Sequence, residues 1–180
     1  MKVFKFFAIT LAFTAVTAIA TAQTKEITSK AEVIAVSQIG DVTDMDFGKL
    51  YSLATGYSVT LEMDGAIDKR TSSTLDVPTV SDATIQLATV NIQGEASSTY
   101  TIGVPVAAVT LTDIANSANT MSLTDIEIYD MTGNVINIAN PRAIGLTSKD
   151  KFKVGGTLTL GDAQPVGVYE GTFDITITFE

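Results

Sequence analysis

The sequence predicts an all-β fold, a single-domain antiparallel β-sandwich of immunoglobulin-like or pilin-like type with about seven or eight strands. Three observations carry the prediction. Apolar and polar residues alternate with period two through most of the chain, as they do in half-buried strands. Clusters of Gly, Asp, Asn, Ser and Pro separate the alternating runs. No segment beyond residue 22 holds a helical period for three turns. A closed barrel is the second architecture that fits the pattern. A transmembrane barrel needs aromatic girdles, which a chain with no Trp and few Tyr and Phe supplies poorly.

The first residues read as a secretory signal. Lys2 and Lys5 form a short basic region, Ala8–Ala20 is uncharged and mostly apolar, and Ala20-Thr21-Ala22 is a small-x-small cleavage site before Gln23. The apolar run is too short for a spanning helix, which needs about 20 residues. The reading is therefore a cleaved signal over 1–22 and a β domain over 23–180. The product is exported to the periplasm, the cell surface or the medium, with no membrane span after cleavage.

The strands follow in order. Ile27, Ser29, Ala31, Val33 and Ala35 alternate, either as the first strand of the domain or as a separate extended arm. "GYSVTLEM" places Tyr57, Val59, Leu61 and Met63 on one face. "ATIQLATVNIQG" changes phase between Leu87 and Val90, which predicts a bulge near Ala88-Thr89 or a strand crossing between sheets. "STYTIGVPV" places Tyr100, Ile102, Val104 and Val106 inward. "LTDIANSANT" at 111–120 is read as one short helical turn. "MSLTDIEIY" changes phase again, which predicts a bulge near Thr124-Asp125. "FKVGGTLTL" turns Phe152, Val154, Leu158 and Leu160 to one side with Gly156 between them. Turns are expected at 63–68, 71–82, 131–134 and 161–165. The chain closes on "GVYEGTFDITITFE", read as one long two-sided strand from Gly167 with Tyr169, Phe173, Ile175, Ile177 and Phe179 inward.

Composition removes several chemistries. The chain has no His and no Cys, so Ser-His-Asp triads, Cys-His dyads, common zinc sites and disulfides are excluded. Its net charge of −9 argues against nucleic acid and anionic membrane surfaces as partners. Ser148 and Lys151 match Ser-x-x-Lys, but in a polar turn before a strand, without the companion motifs of a serine–lysine dyad. Asp46-Phe47-Gly48 imitates the kinase metal motif without its partners. Asp41, Asp44 and Asp46 are the candidate calcium ligands, although their spacing departs from the twelve-residue calcium loop. The sequence assigns no catalytic residue, no cofactor and no metal beyond that candidate.

Two resemblances add to this. The order "AEVIAVSQI", "DMDFGKL", "GYSVTLEMDG", "STYTIGVP" and "FKVGGTLTLGDAQPVGVYEGTFDITITF" resembles the bacterial exported family catalogued as domain of unknown function 4402. That likeness implies the compartment and the β fold and transfers no catalytic residue. The last fourteen residues resemble the closing strand of fimbrial subunits, with Phe179 penultimate and Gly167 about a dozen residues earlier. This implies pairing through Gly167, Tyr169, Phe173, Ile175, Ile177 and Phe179 with a periplasmic chaperone or another copy of the chain. The function expected is a non-enzymatic structural or adhesive subunit. The alternative is a monomeric exported binding module.

Overall fold

The computed structural model describes residues 37–74, 85–145 and 149–180. The expected signal peptide over 1–22, the run from Ile27 to Ala35, most of the expected 71–82 turn and Ser148 lie outside the described residues. The described residues contain eleven strands and no α-helix. All pairings are antiparallel, as an all-β sandwich requires.

The longest strand is β9 (Lys149–Leu160), and the larger sheet is built around it. One edge of β9 pairs with β7 (Thr120–Tyr129). Its other edge serves two strands in turn. Lys149 to Val154 pair with β4 (Ala88–Gln93), and Gly156 to Leu160 pair with β2 (Tyr57–Asp64). The sheet therefore forks. The β4 branch ends in β1 (Gln38–Thr43) and the β2 branch ends in β3 (Ile67–Ser72). Beyond β7 lie β6 (Val109–Asp113) and the two-residue β10 (Tyr169–Glu170). The smaller sheet has β5 (Thr99–Gly103) at its centre, with β11 (Thr176–Phe179) on one side and β8 (Arg142–Ala143) on the other.

The fork depends on two glycines. A Cβ on Gly155 would stand 2.1 Å from the Leu61 carbonyl oxygen and 3.1 Å from the Tyr129 ring. On Gly156 it would meet the Leu123 side chain at 3.0 Å and the Thr124 carbonyl at 3.2 Å. The Gly155 contact is with the backbone of β2 and leaves no room for a side chain where β2 takes over from β4, whereas at Gly156 the neighbours on β7 would have to give by a few tenths of an ångström. Asp68 of β3 fastens the junction. Its carboxylate pairs with Lys153 of β9 and accepts the Leu87 amide at 3.0 Å, just ahead of β4.

The core has two lobes. One gathers Tyr57, Val59, Leu61, Leu87, Leu123, Leu158 and Leu160 around β2. The other packs the smaller sheet (Tyr100, Ile102) on the larger one (Val90, Ile92, Ile128, Phe152, Val154), which makes the sandwich. Burying each such side chain contributes about 1.5–3 kcal/mol. Met45, Ile126 and Phe173 touch both lobes. A polar network joins the layers: Asp150 of β9 accepts the Tyr100 hydroxyl at 2.7 Å and the Arg142 guanidinium at 2.5 and 3.1 Å.

Several expectations are corrected in detail. The bulge near Thr124-Asp125 is present: β7 gains one residue against β9 between Thr124 and Glu127, and Asp125 takes a φ of 49°. No bulge sits at Ala88-Thr89, because β4 runs in unbroken register with β9 from Ala88 to Gln93. Leu87 and Ala88 are both buried, one in each lobe, so the phase change marks passage between lobes. The extra residue lies in β1, between Ile39 and Val42. The segment 111–120 forms no helix. It is the end of β6, a turn capped by Asp113, and the start of β7. Val106 is fully exposed, since β5 ends at Gly103.

If the fork rests on steric clearance, Gly155→Ala should lower stability by about 3 kcal/mol, the upper part of the usual range for overpacking. That corresponds to a fall in Tm of roughly 6–12 °C for a domain of this size. Gly65, with a φ of 62° in the β2–β3 turn and no atom within 4 Å of its Cβ position, should accept Asn at a cost below about 1 kcal/mol. Thermal unfolding of the two variants checks the comparison.

Candidate functional site

The closing segment is not one strand. Tyr169 and Glu170 pair with Asp113 and Thr112 of β6 in the larger sheet, whereas Thr176 to Phe179 pair with β5 in the smaller one. The alternation nevertheless continues through the crossing: Phe173, Ile175, Ile177 and Phe179 face inward and Thr176, Thr178 and Glu180 outward. Period two follows extended backbone, and the backbone stays extended while it changes sheets. Gly171 permits the departure, because a Cβ there would stand 2.6 Å from the Thr110 carbonyl.

This crossing forms one wall of a groove. β11 is bonded to β5 on one edge and, among the described residues, to no strand on the other. Its inward residues are only half-buried. The facing wall is β1, whose Ile39 and Val42 are 45% and 56% exposed and whose outer edge is likewise unpaired among the described residues. Between them lies a trough of about 610 Å³ with Phe47, Ala88, Val90, Leu111 and Leu123 among its lining residues. Thus the groove is a slot of mixed lining between the open edges of the two sheets, with Thr43, Asp44, Glu170 and Thr172 beside its apolar residues. Of the six residues expected to pair, Tyr169, Phe173, Ile175 and Ile177 line it. Phe179 instead packs on Tyr100, with ring centroids 6.2 Å apart.

Gly167 has a different task. A Cβ on it would fall 2.7 Å from the carboxylate of Asp113, a buried group that accepts bonds from the Ala115 amide and the Asn119 side chain. Around it, "GDAQPVGVY" works as a clasp. The Asp162 carboxylate accepts the Gly56 amide at 2.7 Å, and buried Gln164 donates to the Thr120 carbonyl and to the Tyr169 hydroxyl. The Tyr169 hydroxyl donates in turn to the Pro165 carbonyl. This clasp borders a second cavity of about 640 Å³, lined by Phe47, Leu50, Tyr51, Leu160, Gln164 and Tyr169 among others, with Val166 93% exposed beside it.

The acidic candidates are not drawn together. Asp41 lies on β1, where its carbonyl accepts the Asn91 side chain, and the Asp44 carbonyl accepts that of Gln86. The Asp46 carboxylate accepts the Gly48 amide at 2.7 Å, a turn that sends Phe47 inward and gives Gly48 a φ of 69°. Arg70 donates to the Phe47 and Lys49 carbonyls. The three-letter likeness to a metal motif is thus a turn that plugs the core. Among the described residues no three His, Cys, Asp or Glu side chains are placed to share an ion. Lys151 of the Ser-x-x-Lys pattern is exposed on β9.

Titration follows structure as well. Hydrogen bonds from Thr132 and Asn134 hold the Asp130 carboxyl well below its ordinary range, which keeps it ionised as the cap of a turn. Burial, followed by the bond to Asp150, pushes the Tyr100 hydroxyl far above its ordinary value of 10. Burial and Glu127 do the same to Tyr129. These shifts describe groups that brace the fold.

The family described as Domain of unknown function (DUF4402) matches residues 34–179. The chain belongs to that family. The match covers the forked sheet, the groove and the clasp, so the DUF4402 domain includes all of the geometry described above. No curated protein matches this chain. Among the described residues no helix is long and apolar enough to cross a membrane.

Sequence reasoning missed β1 as the facing wall. Its residues QIGDVT carry Gly40, Asp41 and a one-residue bulge, so period two fails there.

The raised Tyr100 value has a defined consequence. A folded-state pKa above the unfolded one contributes stability that is complete below pH 10 and is lost as pH rises through the folded value. Tm should therefore fall between pH 10 and 11.5, and Tyr100→Phe should flatten part of that fall while lowering Tm at pH 8 through loss of the bond to Asp150. Melting curves over pH 8–11.5 provide the measurement.

Proposed function

We propose that the domain is a non-enzymatic exported subunit, structural or adhesive, that associates at the cell surface by adding an extended strand between β11 and β1. One observation carries the reading: among the described residues two sheets present open edges on either side of one trough with a partly apolar lining. An exposed strand edge is a template for pairing with another chain, and monomeric proteins cover or blunt such edges. Here Asp174 and Glu180 blunt only the solvent face of β11 and its approach, while the inward face stays half-buried over apolar residues. A strand laid in the trough would gain backbone bonds and bury alternate side chains, the two sources of affinity in β-augmentation.

A second reading rests on the cavity beside the clasp. Its mixed lining, with Phe47, Leu50 and Leu160 beside Gln164, Tyr169 and Tyr51, suits a monomeric module holding a ligand that is part apolar and part polar.

The groove reading predicts that the mature protein self-associates with rising concentration. Val42→Lys should weaken this strongly and leave Tm within about 1 °C, since Val42 is more than half exposed. Light scattering over a concentration series reads the outcome. A monomer at every concentration, or association indifferent to a paired Ile39→Lys and Val42→Lys change, would overturn the reading in favour of the module.

A further inference from the structure

We infer that the cavity beside the clasp binds a neutral single-chain amphiphile, with its tail on the cavity floor and a hydroxyl-bearing head at the mouth beside Asp46, Tyr51 and Ser52. The inference rests on the second reading above, that this cavity holds a ligand, and names the class and orientation of that ligand.

The floor selects the tail. Leu158 and Leu160 come from β9, Met121 from β7 and Leu111 from β6. Leu158 and Leu160 are buried, as is Phe47 beside them in the lining. The polar groups at this depth are already bonded. Gln164 accepts the Gly161 amide at 2.9 Å, and its amide nitrogen donates to the Thr120 carbonyl at 3.2 Å and to the Tyr169 hydroxyl at 2.9 Å. That hydroxyl gives its own proton to the Pro165 carbonyl at 2.7 Å. A polar ligand group pushed this deep would lose its water and meet no free donor, which is unfavourable. An aliphatic chain needs no partner there and gains from burial. Met45 and Met121 in the lining are unbranched and adapt to a flexible chain.

The mouth selects the head. Asp46, Tyr51 and Ser52 line it and are exposed, Tyr51 by 42%. One oxygen of the Asp46 carboxylate accepts the Gly48 amide. Among the described residues its other oxygen and the hydroxyls of Tyr51 and Ser52 make no hydrogen bond. They present one strong acceptor and two groups that both donate and accept, which suits a head of several hydroxyls. Lys49 also lines the mouth and is engaged in an interaction of its own. With a carboxylate and an ammonium both at the rim, a head of either charge would meet a like charge, and a neutral head meets neither.

The mouth is held in shape without a ligand. Arg70 donates to the Phe47 carbonyl at 2.6 Å and to the Lys49 carbonyl at 3.0 Å. The Tyr57 hydroxyl donates to the Tyr51 carbonyl at 2.8 Å, and the Ala163 amide to the Leu53 carbonyl at 2.8 Å. A rim fixed in this way lowers the ordering cost of binding. The volume of about 640 Å³ lies within the range of small-molecule pockets.

The test titrates the full mature chain, labelled on its methionine methyl groups, with glucose, hexyl glucoside, octyl glucoside and ionised octanoate, each below its micelle concentration. Met121 lines this cavity and not the groove, and Met131 lines neither. Octyl glucoside should move the Met121 methyl resonance saturably and leave that of Met131 in place. Hexyl glucoside should bind roughly tenfold more weakly, for two methylenes fewer on the floor. Octanoate should also bind roughly tenfold more weakly, because its carboxylate meets Asp46. Glucose should not move Met121 at these concentrations. Ser52→Ala should weaken octyl glucoside roughly fivefold, for one lost hydrogen bond, and leave the Tm of the free protein unchanged. Octanoate binding as tightly as octyl glucoside would overturn the neutral head, and glucose binding as tightly would overturn the buried tail. Either result would leave the cavity a ligand site. No response at Met121 to any of the four, or equal shifts at every methionine, would reject the inference together with the reading beneath it.

Discussion

A single strand edge shared by two partners sets the rest of this structure. β9 gives the first half of one edge to β4 and the second half to β2, and the exchange happens over Gly155-Gly156. The clearance is steric: the Leu61 carbonyl occupies the place of a Gly155 side chain. Two consequences follow at once. The larger sheet splits into a β4–β1 branch and a β2–β3 branch, and the core beneath it divides into two lobes. Asp68 ties the branches where they separate, through Lys153 on one side and the Leu87 amide on the other.

The fork also decides where the molecule is open. The smaller sheet covers the lobe beneath β4, β7 and the first half of β9, with Tyr100 and Ile102 as its anchors. It has three strands, and its order ends on β11. The larger sheet ends on β1 on the same side, so their unpaired edges face one another across the trough. In a closed sandwich these edges would be covered. Here the chain passes from β10 to β11 beside the trough and leaves its apolar side chains half-buried. The open groove is thus a product of the topology.

Much of this architecture was legible in the residues. The alternation of "GYSVTLEM" and "FKVGGTLTL" marked β2 and β9 with the correct inward faces, because both strands have one wet side, where Ser58, Thr60, Thr157 and Thr159 bond one another in pairs. The extra residue in β7 was legible as a phase change. What escaped notice obeys other physics. β3, IDKRTS, is too polar to alternate, since it lies at the end of a branch and uses Asp68 and Lys69 for ion pairs. The Leu87-Ala88 phase change resembles a bulge, yet comes from two lobes sharing one segment. The crossing between β10 and β11 left no mark on the alternation at all. The groove needed β1 and β11 to be adjacent, and adjacency of sheet edges is a tertiary fact that no local pattern encodes.

The central claim is that β11 has one bonded edge and one edge reserved for a neighbour. Residue-resolved amide hydrogen exchange tests it most directly, with Val42→Lys serving as the isolated subunit and the native protein as the assembled one. The account predicts slow exchange at Thr176, Thr178 and Glu180 in both, because these amides belong to the β5 ladder. Ile177 and Phe179 should exchange rapidly in the isolated subunit and become protected on assembly. Equal protection of Ile177 and Phe179 in the two states would contradict it.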